Sequence, residues 1–203
     1  MKARTLALLA VVVSLLALAT AAYGAGGTGW WHGPGSGRSG MSGTGMMSGS
    51  GGMGSSGMTA TVRSEADYLV EMVAHHQEAI SSARELERSQ RPVMRTFGAQ
   101  VVRTQSAEVE RMRQLLSRWF PDRSFGANYE PMMRDLTRLS GDNLDQAFLD
   151  DMIPHHMTAV MMSQHLLLGG FATHEEVEDL AQSIRDTQHD EIVQMQRWRA
   201  TWF

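Results

Sequence analysis

Residues 68–79 read YLVEMVAHHQEA, and residues 148–159 read FLDDMIPHHMTA. At an offset of 80, an aromatic, a Leu, an acid, a Met, a His-His pair and an Ala recur in the same places. A second pair of stretches agrees at an offset of 83. TQSAEVERMRQLLSRWF (104–120) and TQHDEIVQMQRWRATWF (187–203) share Thr, Gln, Glu, Met, Trp and Phe. The chain from 64 onward is thus one unit written twice, as 64–120 and 142–203. The small difference in offset falls in loops, where a change of length costs little.

Each unit reads as two helices. Ser64 and Asp67 form a capping-box signal, and Tyr68, Leu69, Met72, Ala79, Ala83 and Leu86 recur with a period near 3.6. Pro92 predicts a break near Gln90–Arg91 and suits the first turn of a second helix, which stops before Pro121. A loop to about Gly141 follows, with room for one short helix at Met132–Leu139. Asp142 or Asn143 is the expected cap of a third helix that Gly169-Gly170 ends. Thr173 and Glu176 are the expected capping box of a fourth, running close to Phe203. Strand signals are absent. One helical hairpin cannot bury its own apolar face, whereas two can do so as an antiparallel four-helix bundle. The expected fold is all-α, with a bundle domain at 64–203.

The seam of that bundle carries the chemistry. Taking Met72 as its centre, His75 falls about 60° to one side and His76 about 40° to the other, with Ala79 central. Met152, His155, His156 and Ala159 repeat the arrangement. On the second helix Gln105, Glu108, Val109 and Met112 share a face. On the fourth, Gln188, Glu191, Ile192 and Met195 do the same. An unpaired buried carboxylate is very costly, so Glu108 and Glu191 must find partners inside. Two readings stand. In one, the Glu and Gln side chains and the histidines form a structural hydrogen-bond network. In the other, which four histidines and four methionines in a cysteine-free chain favour, they hold a soft metal. The third helix adds Met157, Met161, Met162 and His165. Met157, Met161 and His165 stand at i, i+4 and i+8, readable either as core packing or as a thioether and imidazole ladder.

Upstream of the bundle the composition changes. Lys2 and Arg4 precede an apolar run from Leu6 to Ala19, shorter than the roughly 20 residues needed to span a bilayer. Small residues then offer cleavage after Ala21 or Gly24. Residues 1–24 are the expected secretory signal, an uncleaved anchor being the alternative. Either way the rest of the chain is expected outside the cytoplasm, in a periplasm, cell envelope or medium. With no cysteine there is no lipobox, no disulfide and no thiolate site. Residues 25–60 are Gly- and Ser-rich, a composition expected to stay disordered, yet they carry Met41, Met46, Met47, Met53 and Met58 after Trp30, Trp31 and His32. A flexible arm that collects Cu(I) and a plain linker are both open readings of it.

The 203 residues carry 18 Lys+Arg against 22 Asp+Glu, a net charge of -4 that cleavage of the signal would take to -6. Nucleic-acid binding usually leaves a basic footprint, and none is present. No stable membrane insertion is expected after signal cleavage.

The pattern M-x-x-H-H-x-x-A, followed by Q-x-x-E-[IV]-x-x-M-x-x-[WL], resembles the family known as domain of unknown function 305. The second repeat matches through Phe148, Met152, His155, His156, Ala159, Met162, Ala181, Ile184, Gln188, Glu191, Ile192 and Met195. The first matches through Met72, His75, His76, Ala79, Gln105, Glu108 and Met112. The resemblance covers about residues 64–203 and leaves out the Gly/Ser/Met arm. It implies a ferritin-like four-helix fold, with CopM-like periplasmic copper-binding proteins as the best-known members.

The leading expectation is therefore a secreted, non-enzymatic protein that sequesters or carries copper. Cu(I) is suited to thioether and imidazole, and Cu(II) to imidazole with oxygen donors. A metal-free envelope interaction domain with structural histidines is the first alternative. A ferritin-like dimetal oxidase is the second, weakened because Glu108 and Glu191 lack the Glu-x-x-His partner such centres use. His75-x-x-Glu78 has the reverse order, and Thr158 stands at the position of Glu78 in the second repeat.

Overall fold

The computed structural model describes residues 62–123 and 129–203. The expected signal (1–24) and methionine arm (25–60) lie outside the described residues. Four α-helices carry the fold: α1 (Glu65–Arg84), α2 (Pro92–Trp119), α3 (Gly141–Leu168) and α4 (Glu175–Trp202). A 3-10 turn, Glu85–Arg88, follows α1. Among the described residues there is no strand. The expected all-α four-helix bundle is what forms.

Local chemistry accounts for most of the helix ends. The Ser64 side chain accepts from the Asp67 amide at 3.1 Å. Pro92 opens α2 in its first turn. At the end of α3, Phe171 N–H bonds to Leu166 C=O and Gly170 N–H to Leu167 C=O, the paired bonds of a Schellman motif. Gly170 takes φ +67, which a side chain would strain. Gly98 answers a different need. A Cβ there would lie 2.6 Å from the Ala83 carbonyl oxygen, so the bare backbone lets α2 close on the end of α1.

Three expectations differ from the structure. Met132–Leu139 forms no helix, only a turn at 137–138. The cap of α4 is His174, without a side-chain capping bond, because the Thr173 hydroxyl is taken by Glu65 of α1. Helix α3 starts at Gly141, with Ser140 and not Asp142 or Asn143 at the cap position, and it continues through Pro154 to Leu168 as expected. Proline removes one helical donor, here for the Asp150 carbonyl. Pro154 is exposed, so that carbonyl lies on the solvent side, and burial of the opposite face holds the helix together.

The two hairpins, α1–α2 and α3–α4, are related by an approximate twofold. Tyr68 bonds to Ser163 at 2.9 Å, and His75 stacks on His155, so α1 and α3 run antiparallel. The apolar core falls into two clusters. One gathers Leu69, Met72, Met112, Leu116, Met162 and Ile184; the other gathers Phe97, Val101, Phe148, Leu149, Met152 and Met195. Each fully buried large side chain among them contributes roughly 1.5–3 kcal/mol. Between the clusters, at mid-length of every helix, stands a polar layer.

Equivalent clamps close the two ends. Arg91, which precedes α2, bonds Asp145 of α3 at 2.8 Å, and its guanidinium lies over the Trp202 ring at 4.8 Å. At the other end His174, which precedes α4, bonds Glu65 of α1 at 2.6 Å and stacks on Trp119 at 4.1 Å. Glu65 also accepts from the backbone amides of Thr173 and His174, at 2.5 and 2.6 Å. Burial pushes its carboxyl up, but these bonds outweigh burial and hold it below the ordinary carboxylate range.

Candidate functional site

The polar layer is made of eight side chains: His75 and His76 from α1, Gln105 and Glu108 from α2, His155 and His156 from α3, Gln188 and Glu191 from α4. All four imidazoles are fully buried. Adjacent histidines on a helix straddle one inward seam, as their 100° separation requires. Within each hairpin one His bonds one Glu. His76 Nε2 donates to Glu108 at 2.9 Å, and His156 Nε2 donates to Glu191 at 2.8 Å. The inward carboxylates thus have the partners their burial demands.

The other two histidines meet at the twofold. Their ring centroids are 3.6 Å apart with the planes tilted by 30°. His75 Nε2 donates to the His155 backbone carbonyl at 3.0 Å. His155 Nε2 donates to Glu78 at 3.2 Å. Glu78 breaks the symmetry, since Thr158 holds its place in the second hairpin. Its carboxylate accepts the Tyr129 hydroxyl and the backbone amides of Met132 and Met133, at 2.8 and 2.9 Å. The connection between hairpins is thereby tied down beside His155, and the Tyr129 ring stands edge-on to His75.

All four Nε2 atoms face acceptors that cannot donate, a carboxylate or a carbonyl. Each therefore carries a proton, and in a neutral ring that leaves the lone pair on Nδ1. All four Nδ1 atoms are buried without a hydrogen-bond partner, and so are the amide groups of Gln105 and Gln188. Burial pushes the His75 imidazole well below its ordinary value, helped by His155, His76 and His156 and opposed by Glu78. Burial, then His156 and His76, do the same to His155. These two rings are neutral in the fold.

Methionine flanks the layer on both sides. Met72 and Met112 lie in one apolar cluster, Met152 and Met195 in the other, and all four are fully buried. Within each hairpin the two histidine rings stand 6.2 Å apart, inclined by 49° in the first and 48° in the second. Among the described residues, no three His, Asp or Glu side chains converge closely enough to hold one metal ion.

The rest of the third helix's candidate set divides. Met162 is buried in the apolar core. Met157 and Met161 are 39% and 37% exposed, and His165 is exposed as well, so this column faces outward, away from the histidine layer. Glu78 and Tyr129 belong to the layer's surroundings although the sequence motif does not single them out. Only the reversed His75-x-x-Glu78 spacing pointed toward the first of them.

No helix among the described residues is long and apolar enough to cross a membrane. The sequence profile of the domain of unknown function DUF305 matches residues 18–120 and again 121–202. Among solved structures, CopM in its Cu(I)-bound form is similar at 30% identity and a TM-score of 0.61, covering 69% of this chain and 98% of CopM. CopM in its Ag-bound form is similar at 29% identity, with the same TM-score and coverage. A DUF305 fragment from Deinococcus radiodurans is similar at 28% identity and a TM-score of 0.61, covering 70% of this chain and 98% of the fragment. No curated protein matches the chain in sequence.

Proposed function

The chain belongs to the DUF305 family, and from that membership we propose that it is an exported copper-binding protein that sequesters or carries the ion in its bundle core. The observation that carries the reading is the set of four buried Nδ1 atoms without hydrogen-bond partners. A buried polar atom left bare costs about 1–3 kcal/mol, and the fold leaves the four Nδ1 atoms bare in symmetric pairs. Metal-binding imidazoles commonly donate their second nitrogen to a carboxylate or carbonyl, which fixes the tautomer and strengthens the ligand. Glu108, Glu191, Glu78 and the His155 carbonyl are such acceptors.

The chemistry of the layer favours Cu(I) over Cu(II) as the core ion. Its candidate ligands are the imidazoles of His75, His76, His155 and His156, with the thioethers of Met72, Met112, Met152 and Met195 beside them. Soft and borderline donors of this kind suit a monovalent soft ion, and a single charge is less costly to bury than a double one. A metal–imidazole bond is about 2 Å long, so rings with centroids 6.2 Å apart leave room for one ion between them. Glu108 and Glu191 act on this reading as supports of His76 and His156. CopM, similar over most of the bundle, has been seen with Cu(I), Cu(II) and Ag bound. Export rests on the basic start and short apolar run of residues 1–24, and the methionine arm would add Cu(I) capacity outside the bundle.

The test is Cu(I) titration of the reduced protein against a chromophoric competitor, with the melting temperature measured on the same samples. Ala replacement of His155 and His156 should remove core copper. Copper binding unchanged while the melting temperature drops would make the histidines structural, and a parent protein that binds no copper would return the reading to a metal-free envelope domain. Deleting residues 30–60 should lower the Cu(I) count and leave the helical signal intact. An unchanged count would make the arm a plain linker.

A further inference from the structure

The outer face of α3 holds a feature that neither the core nor the fold explains. Met157 and Met161 are 39% and 37% exposed, one helical turn apart, with the exposed His165 one turn further on. Neither belongs to the two buried apolar clusters. The first hairpin provides an internal control, because its equivalent positions are Gln77, Ser81 and Glu85. Gln77 and Ser81 are exposed, and Glu85 pairs with Arg88 at 2.6 Å. The equivalent positions of the first hairpin, two on α1 and one in the turn after it, are therefore filled by ordinary polar residues. Replacing them with two thioethers and an imidazole is not demanded by packing.

We propose that Met157, Met161 and His165 form a surface site for a soft monovalent cation, Cu(I) or Ag(I), separate from the buried histidine layer. Residues four apart rise about 6 Å along a helix and rotate only about 40°, so the three side chains stand in one inclined column. Methionine has three rotatable bonds beyond Cα, enough for two sulfurs one turn apart to turn toward a common ion. Thioether and imidazole are the donors that select such ions from harder ones. The His165 ring is placed against Phe171 at 5.4 Å, which limits its swing beside the column. Unlike the core, this site is open to water and needs no movement of the bundle to load, so it can take an ion from solution or from another protein.

The test does not depend on the core reading. The full chain, labelled at its methionine methyl groups, is titrated with Ag(I) and followed by NMR. The Met157 and Met161 methyls should shift with the first few equivalents, and Met157→Leu with Met161→Leu should bind one Ag(I) fewer with unchanged helicity. Leu suits these half-exposed helical positions, so the variant keeps the fold. The Met72 and Met152 methyls report the core independently in the same spectra. Met157 and Met161 methyls that stay still while Ag(I) saturates the rest of the protein would overturn the surface site, as would an undiminished Ag(I) count in the Leu variant.

Discussion

His75 and His155 are each other's equivalents in the two hairpins, and they stack on each other with ring centroids 3.6 Å apart. Two imidazoles so close and so deeply buried cannot both take protons. Both are held well below the ordinary histidine range, by burial first and by neighbouring imidazoles next. The unfolded chain meets no such barrier and binds protons near pH 6.5. Below that pH the unfolded state holds more protons than the folded state, so stability falls as pH falls. Above it neither state binds them and the effect vanishes. The metal-free protein should lose up to about 1.4 kcal/mol per pH unit for each of the two histidines on acidification from pH 6.5. Urea midpoints measured between pH 7.5 and 5 check this. A flat profile across that window would show that the pair is protonated in the fold.

Glu108 and Glu191 hold the protons of His76 and His156 on Nε2. An amide at either position can flip and donate, which releases the tautomer. Glu108→Gln or Glu191→Gln should therefore weaken Cu(I) binding about 10–100-fold, the usual effect of removing a ligand's hydrogen-bond partner. The helical signal should persist. Competition titration of each single variant measures it, and unchanged affinity in both would detach the carboxylates from the metal reading.

The repeat made the bundle legible, because two amphipathic hairpins with matching seams have one obvious way to cover each other. The inward histidines were legible too, since a 100° turn places His75 and His76 on either side of Met72. Their Nε2 partners in Glu108 and Glu191 fit the hydrogen-bond network expected of buried carboxylates. Contacts between parts distant in sequence were not legible. Glu78 reaches across to His155 and to the loop at Tyr129, and no local pattern announces that. Thr173 looked like a cap for α4 because the local signal was sound, yet Glu65 of α1 claims its hydroxyl. The outward column was readable in principle: Met157 lies about 140° around the helix from Met152, too far to share its seam.

Among the described residues, Glu78 is the only acceptor shared by the connection between hairpins and the histidine layer. Glu78→Ala leaves the Met132 and Met133 amides and His155 Nε2 without their partner. It should cost about 1–3 kcal/mol for each group that water does not reach. Hydrogen exchange at Met132 and Met133 should speed up while the amides of α2 and α4 stay protected. Protection at both positions equal to that of the parent protein would mean the loop is held by other contacts.

The two end clamps differ in one respect that a pair of variants can expose. Arg91 faces Asp145, which is fully buried and has one carboxylate oxygen without any partner. Removing Arg91 therefore strands a charge inside the protein, at a cost of about 3–5 kcal/mol. At the other end Glu65 draws on the Thr173 hydroxyl and two backbone amides as well as His174. Losing the His174 ring removes only part of its support. Arg91→Ala should thus destabilise the protein by clearly more than His174→Ala, although both lose a stacked partner on a tryptophan at the bundle end. Asp145→Asn in the Arg91→Ala background should recover part of the loss, because an amide carries no charge to strand. Urea denaturation of the three variants at pH 7.5 tests the order. Equal losses for Arg91→Ala and His174→Ala, with no recovery in the double variant, would place the strength of the clamps in ring stacking and not in the buried carboxylate.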